Sequence, residues 1–83
     1  MRIGNGEFTI MKKFDERLGY VLKTTRKAKK MNQPQVAKKL NVSKMTISYW
    51  ENGKRGMSAE QLKHYCEVLN IPVQEVFDRM EDE

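Results

Sequence analysis

The segment from Val42 to Arg55, VSKMTISYWENGKR, concentrates side chains that donate or accept hydrogen bonds. Thr, Ser, Tyr and Trp are mediocre helix formers, so helix propensity does not explain their presence here. Ammonium and guanidinium groups bind phosphate oxygens, and ammonium, hydroxyl and amide groups also bind the edges of nucleic-acid bases. The segment therefore has the chemistry of a surface that contacts a polyanion.

The sequence offers little for other kinds of chemistry. We find no nucleophile–base pair, no glycine-rich phosphate loop and no metal-ligand spacing, and His64 and Cys66 are each the only residue of their type. We therefore expect no enzymatic activity, no cofactor and no metal. With one unpaired Cys and no apolar run long enough to span a membrane, we expect a soluble, cytoplasmic protein.

The charges are segregated along the chain. Overall, 16 Lys and Arg oppose 11 Asp and Glu, which gives a net charge of +5. Residues 1–56 hold 14 of the basic and 4 of the acidic residues, whereas residues 57–83 hold 2 and 7. Lysines that only solvate helices would explain the surplus of cations but not this segregation. A basic body with an acidic end indicates a polyanion binder with one face turned away from the phosphates.

Five helices must position the polar segment. At 83 residues the chain has room for one domain with a modest core. Asn32, Ser43 and Ser58 are the predicted N-caps of the second, third and fourth helices, and Gln61 completes a capping box with Ser58. The predicted helices are residues 14–30, 33–41, 44–52, 59–69 and 73–80. Residues 1–13 are predicted to be an arm that is flexible or forms a short strand, and residues 81–83 are predicted to fray.

The second and third predicted helices form a tight pair. Asn41 can adopt the left-handed conformation that ends a helix, and Ser43 caps the next one, so the connection is only about three or four residues long. The apolar positions that such a pair must bury are Val36, Ala37, Leu40, Val42, Ile47 and Trp50. With these inward, helical rotation leaves Lys44, Met45, Ser48 and Tyr49 outward and Thr46 at the border.

The stretch NQPQVAKKLNVSKMTISYWENGKR resembles the helix-turn-helix of the Cro/C1-type repressor family, also called the XRE family. The likeness extends from about Leu18 to Phe77 and implies an all-α, five-helix, lambda-repressor-like DNA-binding domain spanning residues 14–80, with its helix-turn-helix at residues 33–52. It also implies that Arg26 pairs with Glu51 and braces the first helix against the third. The chain departs from the family pattern at Lys30 and Asn41, where Gly is common, and at Met57, where Pro is common.

The resemblance also implies which side chains meet double-stranded DNA. Base edges would be contacted from the start and middle of the third helix, by Lys44, Met45 and Tyr49. Lys44 can donate to guanine, Met45 can pack on a thymine methyl group, and Tyr49 can do either or reach a phosphate. The backbone contacts that position the protein would come from Gln33, Ser43, Thr46, Ser48, Asn52, Lys54 and Arg55.

A palindromic operator implies a two-fold homodimer, because symmetric half-sites call for a symmetric protein. The candidate dimer contacts lie on the apolar side of the fifth helix, where Val73, Val76, Phe77 and Met80 would either close the core or meet a second subunit. The segment EFTIM at residues 7–11 is a second candidate, by strand pairing.

Three functions remain open on the sequence. The first is a small bacterial or phage transcriptional regulator, most simply a repressor that excludes polymerase. The second is an antitoxin that represses its own operon and binds a toxin through its acidic end; an antirepressor is another conceivable protein partner. The third is a protein-interaction module that keeps the fold but uses the fifth helix. The cationic residues Lys54 and Arg55, together with Lys44 and Tyr49, favour DNA over a pure interaction module.

Overall fold

The computed structural model describes the backbone of residues 5–81 and the side chains of residues 13–81. Its five helices are α1 (Asn5–Ala28), α2 (Gln33–Leu40), α3 (Lys44–Glu51), α4 (Ala59–Leu69) and α5 (Val73–Glu81). Residues 5–81 contain no strand. The described part of the chain is thus the predicted all-α, five-helix, lambda-repressor-like fold.

The first helix is longer than the sequence predicted. It begins at Asn5, whereas its predicted start was near Phe14. Residues 5–13 are therefore helical and do not form the short strand that was one of the two predicted alternatives; residues 1–4 lie outside the described part. Met11, Lys12 and Lys13 are favourable helix formers, whereas the Phe-Thr-Ile run before them favours strands, so local propensity was divided over this segment. At the other end α5 includes Glu81, which was predicted to fray, and residues 82–83 are outside the described part.

Side-chain caps fix where three helices begin. Asn32 and Ser58 each accept a hydrogen bond from the third residue of their helix, and Gln35 and Gln61 accept in return from the cap backbone, which completes two capping boxes. Ser43 caps α3 by accepting from Thr46 N at 3.1 Å. These bonds satisfy amide groups that have no partner inside the helix.

Three helices end in the same left-handed turn. Lys30, Asn41 and Asn70 have φ angles of 60°, 57° and 58°, and the residue after each donates back to a carbonyl in the last turn. Asn tolerates this conformation, whereas Lys adopts it at a cost because its Cβ approaches its own backbone. Asn41 thereby forms the predicted turn between α2 and α3, and Lys30 performs the turn for which the family commonly uses Gly.

The core lies between all five helices. Helix α1 packs against α3 and α5, α2 packs against α3 and α4, and α4 packs against α5. The buried apolar side chains are Leu18, Val21, Leu22, Val36, Ala37, Ile47, Trp50, Leu62, Tyr65, Cys66, Leu69, Val76 and Met80. Leu40 and Val42 are half-buried against this cluster, so the residues expected to hold α2 on α3 face inward.

Gly19 allows α1 and α3 to cross closely. A Cβ at this position would lie 2.6 Å from the carbonyl oxygen of Glu51 and closer still to that of Trp50. Both acceptors are backbone atoms at the end of α3, which cannot move without shifting the helix. The orientation of α3 on the domain therefore depends on the absence of a side chain at Gly19.

Candidate nucleic-acid interface

Helix α3 presents a row of unburied side chains opposite its core face. Ile47, Trp50 and Glu51 are buried, whereas Lys44 and Met45 are exposed. Met45 leaves 61% of its surface accessible, the largest exposed fraction among the large hydrophobic side chains of residues 13–81. The outward positions predicted for Lys44 and Met45 are therefore the ones they occupy.

The remaining polar side chains of α3 bind each other. Thr46 is half-buried at the border, and its hydroxyl lies 2.9 Å from that of Ser43. Asn52 donates from its amide to the Ser48 hydroxyl at 3.3 Å, along the same side of the helix. These contacts order the hydroxyl and amide groups on the surface while leaving further acceptor and donor capacity free.

Glu51 anchors α3 to three other helices. Arg26 of α1 donates to it from Nε and Nη2 at 2.7 and 2.9 Å, which is a two-pronged ion pair. Gln33, at the start of α2, donates to Oε1 at 3.0 Å, and Tyr65 of α4 donates from its hydroxyl to Oε2 at 2.5 Å. Arg26 also donates to the carbonyl oxygen of Met31 at 2.8 Å. The predicted partners Arg26 and Glu51 thus meet, inside a larger network that fixes the relative positions of four helices.

The ionisation of the network follows from these contacts. Burial by itself would raise the pKa of Glu51, but the hydrogen bonds from Arg26, Tyr65 and Gln33 outweigh it and lower the pKa below its ordinary value. The hydrogen bond to Glu51 raises the pKa of Arg26, and burial together with the bond to Glu51 raises the pKa of Tyr65. The network is therefore a charged pair with a neutral phenol at neutral pH.

Gln33 binds the buried Glu51 network and is also partly exposed at the surface. Its side-chain nitrogen is committed to Glu51, yet the residue is only half-buried at the first turn of α2. Its backbone amide lies at a helix N-terminus, where an amide favours an anion; Pro34 has no N–H and the amide of Gln35 is bound by Asn32. The side chain was predicted to meet the DNA backbone, and the structure adds an inward hydrogen bond that orients it.

The loop after α3 carries the predicted cations Lys54 and Arg55, and both are exposed. Gly53 starts the loop with a φ of 72°, in the left-handed region. A Cβ at Gly53 would lie 2.6 Å from Cγ of Glu16, so the loop passes directly over α1. The guanidinium carbon of Arg55 lies 5.1 Å from the centre of the Tyr49 ring. Tyr49 is accordingly half-buried, and less exposed than its predicted outward position implied.

The profile of the family described as "Helix-turn-helix" matches residues 22–76. That match includes the last seven residues of α1, all of α2 to α4 and the first part of α5. The chain belongs to the helix-turn-helix family. It is of the Cro/C1 (XRE) type, as the sequence indicated. Proteins of this family bind DNA and regulate transcription.

Solved structures agree with membership of the helix-turn-helix family. Two crystal structures of the clp gene regulator ClgR from Corynebacterium glutamicum are each 28% identical to this chain and cover 82% of it, with TM-scores of 0.79 and 0.80 over 88% and 72% of their own chains. The restriction-modification controller protein C.AhdI from Aeromonas hydrophila is 23% identical and shares the fold, with a TM-score of 0.70 over 74% of this chain and 92% of its own. A comparison with curated proteins gives no match.

In this helix-turn-helix protein most of the apolar side of α5, which was predicted either to close the core or to meet a second subunit, packs on the core. Val76 and Met80 are buried at 0% and 7% exposure, so they close the core and are not available as dimer contacts. Val73 is half-buried against the core, and Phe77 retains 36% exposure. Phe77 is therefore the member of the predicted set that offers an apolar surface.

No helix within residues 5–81 is both long enough and apolar enough to span a membrane.

Sequence reasoning missed two polar contacts between helices. Tyr65 was predicted as an inward residue of α4, but its hydroxyl bond to Glu51 was not foreseen. Arg79 of α5 donates to the buried Thr25 hydroxyl at 2.9 Å and pairs with Glu75. A buried Tyr usually finds a partner for its hydroxyl, and that rule was the available signal for Tyr65. The Tyr65–Glu51 and Arg79–Thr25 bonds have no signal in sequence spacing, since their partners are 14 and 54 residues apart in the chain.

Proposed function

We propose that this chain is a sequence-specific, double-stranded DNA-binding regulator of the bacterial or phage type, acting in the cytoplasm as a homodimeric repressor. The observation that carries the proposal is the outward row of α3, which begins with exposed Lys44 and Met45 on a helix whose other face is held by the core and by Glu51. A helix fixed in this way enters a major groove without an ordering cost of its own.

Base reading in this proposal belongs to the first half of α3. Lys44 donates to the O6 and N7 acceptors of guanine, and Met45 packs its exposed thioether chain on a thymine methyl group. Tyr49 follows one turn after Met45, within reach of a base edge or a phosphate. Each well-formed base contact contributes roughly 1–3 kcal/mol of discrimination against the wrong base.

Backbone contacts position the domain on the duplex. The predicted set lies at the ends of the two helices and in the loop after them, and consists of Gln33, Ser43, Thr46, Ser48, Asn52, Lys54 and Arg55. The backbone amide of Gln33 at the start of α2 favours a phosphate, and the Gln33 side chain is oriented there by its bond to Glu51. Lys54 and Arg55 are exposed and add positive charge beside the end of α3. These contacts would form with any DNA sequence, and they would account for the fall in affinity as the salt concentration rises.

Dimerisation would place two α3 helices about one DNA turn apart, roughly 34 Å. Phe77 on α5 is the exposed apolar residue that we assign to the subunit contact. Bound across a promoter, such a dimer would exclude polymerase. The similarity to ClgR, described as a clp gene regulator, supports a role in gene regulation.

Selection of bound duplexes from a random-sequence pool tests the proposal. We expect a two-fold symmetric consensus and an affinity that falls steeply with salt. Lys44→Ala and Met45→Ala should relax the consensus at their own positions without unfolding the protein. Arg55→Ala should instead weaken binding to all duplexes and reduce the slope of log K against log salt by roughly one. Lys63→Ala removes one exposed cation from α4, outside the helix-turn-helix, and serves as the matched control.

The outcome also separates the alternatives. An asymmetric consensus would reject the homodimer, and Phe77→Ser should convert the dimer to a monomer if the assignment of Phe77 is correct. No enrichment above non-specific binding would reject DNA regulation and favour the interaction module. A symmetric consensus whose binding changes when a toxin-like partner is added would identify the chain as an autoregulating antitoxin.

A further inference from the structure

Arg55 and Tyr49 form a stacked pair at the edge of the proposed DNA surface. The guanidinium carbon lies 5.1 Å from the ring centre, within the distance of about 6 Å at which an aromatic face attracts a cation. Arg55 is exposed, and Tyr49 is half-buried at the end of α3. The guanidinium therefore covers a ring face that would otherwise meet solvent or DNA.

Backbone hydrogen bonds tie the loop that carries Arg55 to Tyr49. The amides of Lys54 and Arg55 both donate to the carbonyl oxygen of Tyr49, at 2.9 and 3.4 Å. Gly53 makes the left-handed turn that brings them there, and its close approach to Glu16 holds the turn against α1. Arg55 thus contacts Tyr49 twice. Its backbone amide binds the Tyr49 carbonyl oxygen, and its side chain lies over the Tyr49 ring.

The charge of Arg55 is not neutralised within this unit. Among the side chains of residues 13–81 the ion pairs are Arg26 with Glu51 and Arg79 with Glu75. Arg55 has no described carboxylate within ion-pair distance, although Asp15 and Glu16 lie under the glycines of the same loop. With its guanidinium placed over the Tyr49 ring and no described carboxylate beside it, its N–H donors remain for an external anion.

We infer that Tyr49 is a positioning residue, whose ring holds the Arg55 guanidinium ready for a DNA phosphate. A long Arg side chain loses rotamer freedom when it binds, and an ordering contact made beforehand reduces that loss. The covered ring face cannot also stack on a thymine methyl group. Base reading then belongs to Lys44 and Met45, and Tyr49 adds affinity for all duplexes through Arg55. This role depends on the DNA binding proposed above.

A double-mutant cycle measures the coupling between the two side chains. Tyr49→Leu should weaken binding to the selected duplex and to an unrelated duplex alike, by about two- to fivefold, which is the usual strength of an exposed cation–π contact. In the Arg55→Ala background the same change should have no further effect. Tyr49→Phe keeps the ring and should restore binding relative to Tyr49→Leu, with the same consensus. Tyr20→Leu removes an exposed tyrosine from α1 and is the matched control.

A measurement without DNA tests the stacking itself. In the free protein the side-chain protons of Arg55 should be shifted upfield in the NMR spectrum by the Tyr49 ring current, and this shift should disappear in Tyr49→Leu but persist in Tyr49→Phe. Absence of the shift in the wild-type protein would overturn the inference.

Three other results would also overturn it, and they can be told apart. If Tyr49→Phe changes the selected consensus, Tyr49 reads bases directly; if Tyr49→Leu and Arg55→Ala act additively, Tyr49 acts independently of Arg55. In both cases only the positioning role fails. If the wild-type protein binds no duplex, the proposed function fails, and the positioning role fails with it even where the ring-current shift is present.

Discussion

Replacing Glu51 by Gln removes a negative charge that accepts hydrogen bonds from three other side chains. Glu51 accepts four hydrogen bonds, two from Arg26 and one each from Gln33 and Tyr65. The Gln side chain has the same size but no charge, and only one of its two terminal atoms accepts. The substitution therefore leaves Arg26 as a buried cation without its partner while the packing volume is unchanged.

The expected cost is large for a domain of this size. The ion-pair side chains of Arg26 and Glu51 are exposed by only 6% and 1%. Removing one partner of such a buried pair costs about 3–5 kcal/mol, because the remaining charge stays desolvated. Single domains of this length have total stabilities of about 4–12 kcal/mol. Glu51→Gln should therefore remove about a quarter or more of the free energy of unfolding.

Urea unfolding followed by circular dichroism measures this loss. Glu75→Gln is the matched control, since it removes the acidic partner of the Arg79 pair, whose side chains are exposed by 46% and 39%. That exposed pair should contribute about 0.5 kcal/mol or less. If both variants lose similar and small amounts of stability, the network around Glu51 does not hold the helix-turn-helix in place, and the reasoning is refuted.

Four further predictions follow from single features of the fold. The difference in stability between wild type and Glu51→Gln should shrink as pH falls below about 4.5, since the lowered pKa of Glu51 stabilises the fold only while the carboxylate is charged; a pH-independent difference would contradict this. Gly19→Ala should cost about 1–3 kcal/mol by thermal unfolding, because its Cβ meets backbone atoms, whereas Gly56→Ala, whose Cβ would lie 3.3 Å from a side-chain oxygen, should be nearly neutral. Lys30→Gly should stabilise the protein by about 0.5–1 kcal/mol, because Gly accepts the φ of 60° without strain; a loss of stability would show that strain at this turn is negligible. Burial raises the pKa of Cys66 to about 11, so its thiol should react with a disulfide reagent at neutral pH only after unfolding, and rapid reaction of the folded protein would be inconsistent with its position.

The parts of the fold that the sequence predicted depend on neighbours in the chain. Asn32, Ser43 and Ser58 cap helices through bonds that span three residues, so residue type and spacing are enough to locate them. Asn41 ends α2 for the same local reason. The start of α1 was wrong because glycines and a strand-favouring run stood next to good helix formers, and local signals of opposite sign do not decide between helix and arm.

The candidate site was predictable to the extent that one helix determines it. The exposure of Lys44 and Met45 follows from helical rotation once Ile47 and Trp50 are buried. Tyr49 differs because a loop folds back over it, and the fold of that loop depends on contact with α1. The hydroxyl bond of Tyr65 to Glu51 is likewise a product of tertiary packing, and residue spacing contains no information about it.

The central claim is that the outward face of α3 meets DNA, and chemical-shift mapping tests it most directly. An isotope-labelled protein titrated with its selected duplex should show the largest backbone amide shifts at Lys44 and Met45, at the first turn of α2 and at Arg55, with small shifts along α4. Shifts concentrated on α5 around Phe77, with α3 unchanged, would contradict this claim and show that α3 does not meet the duplex.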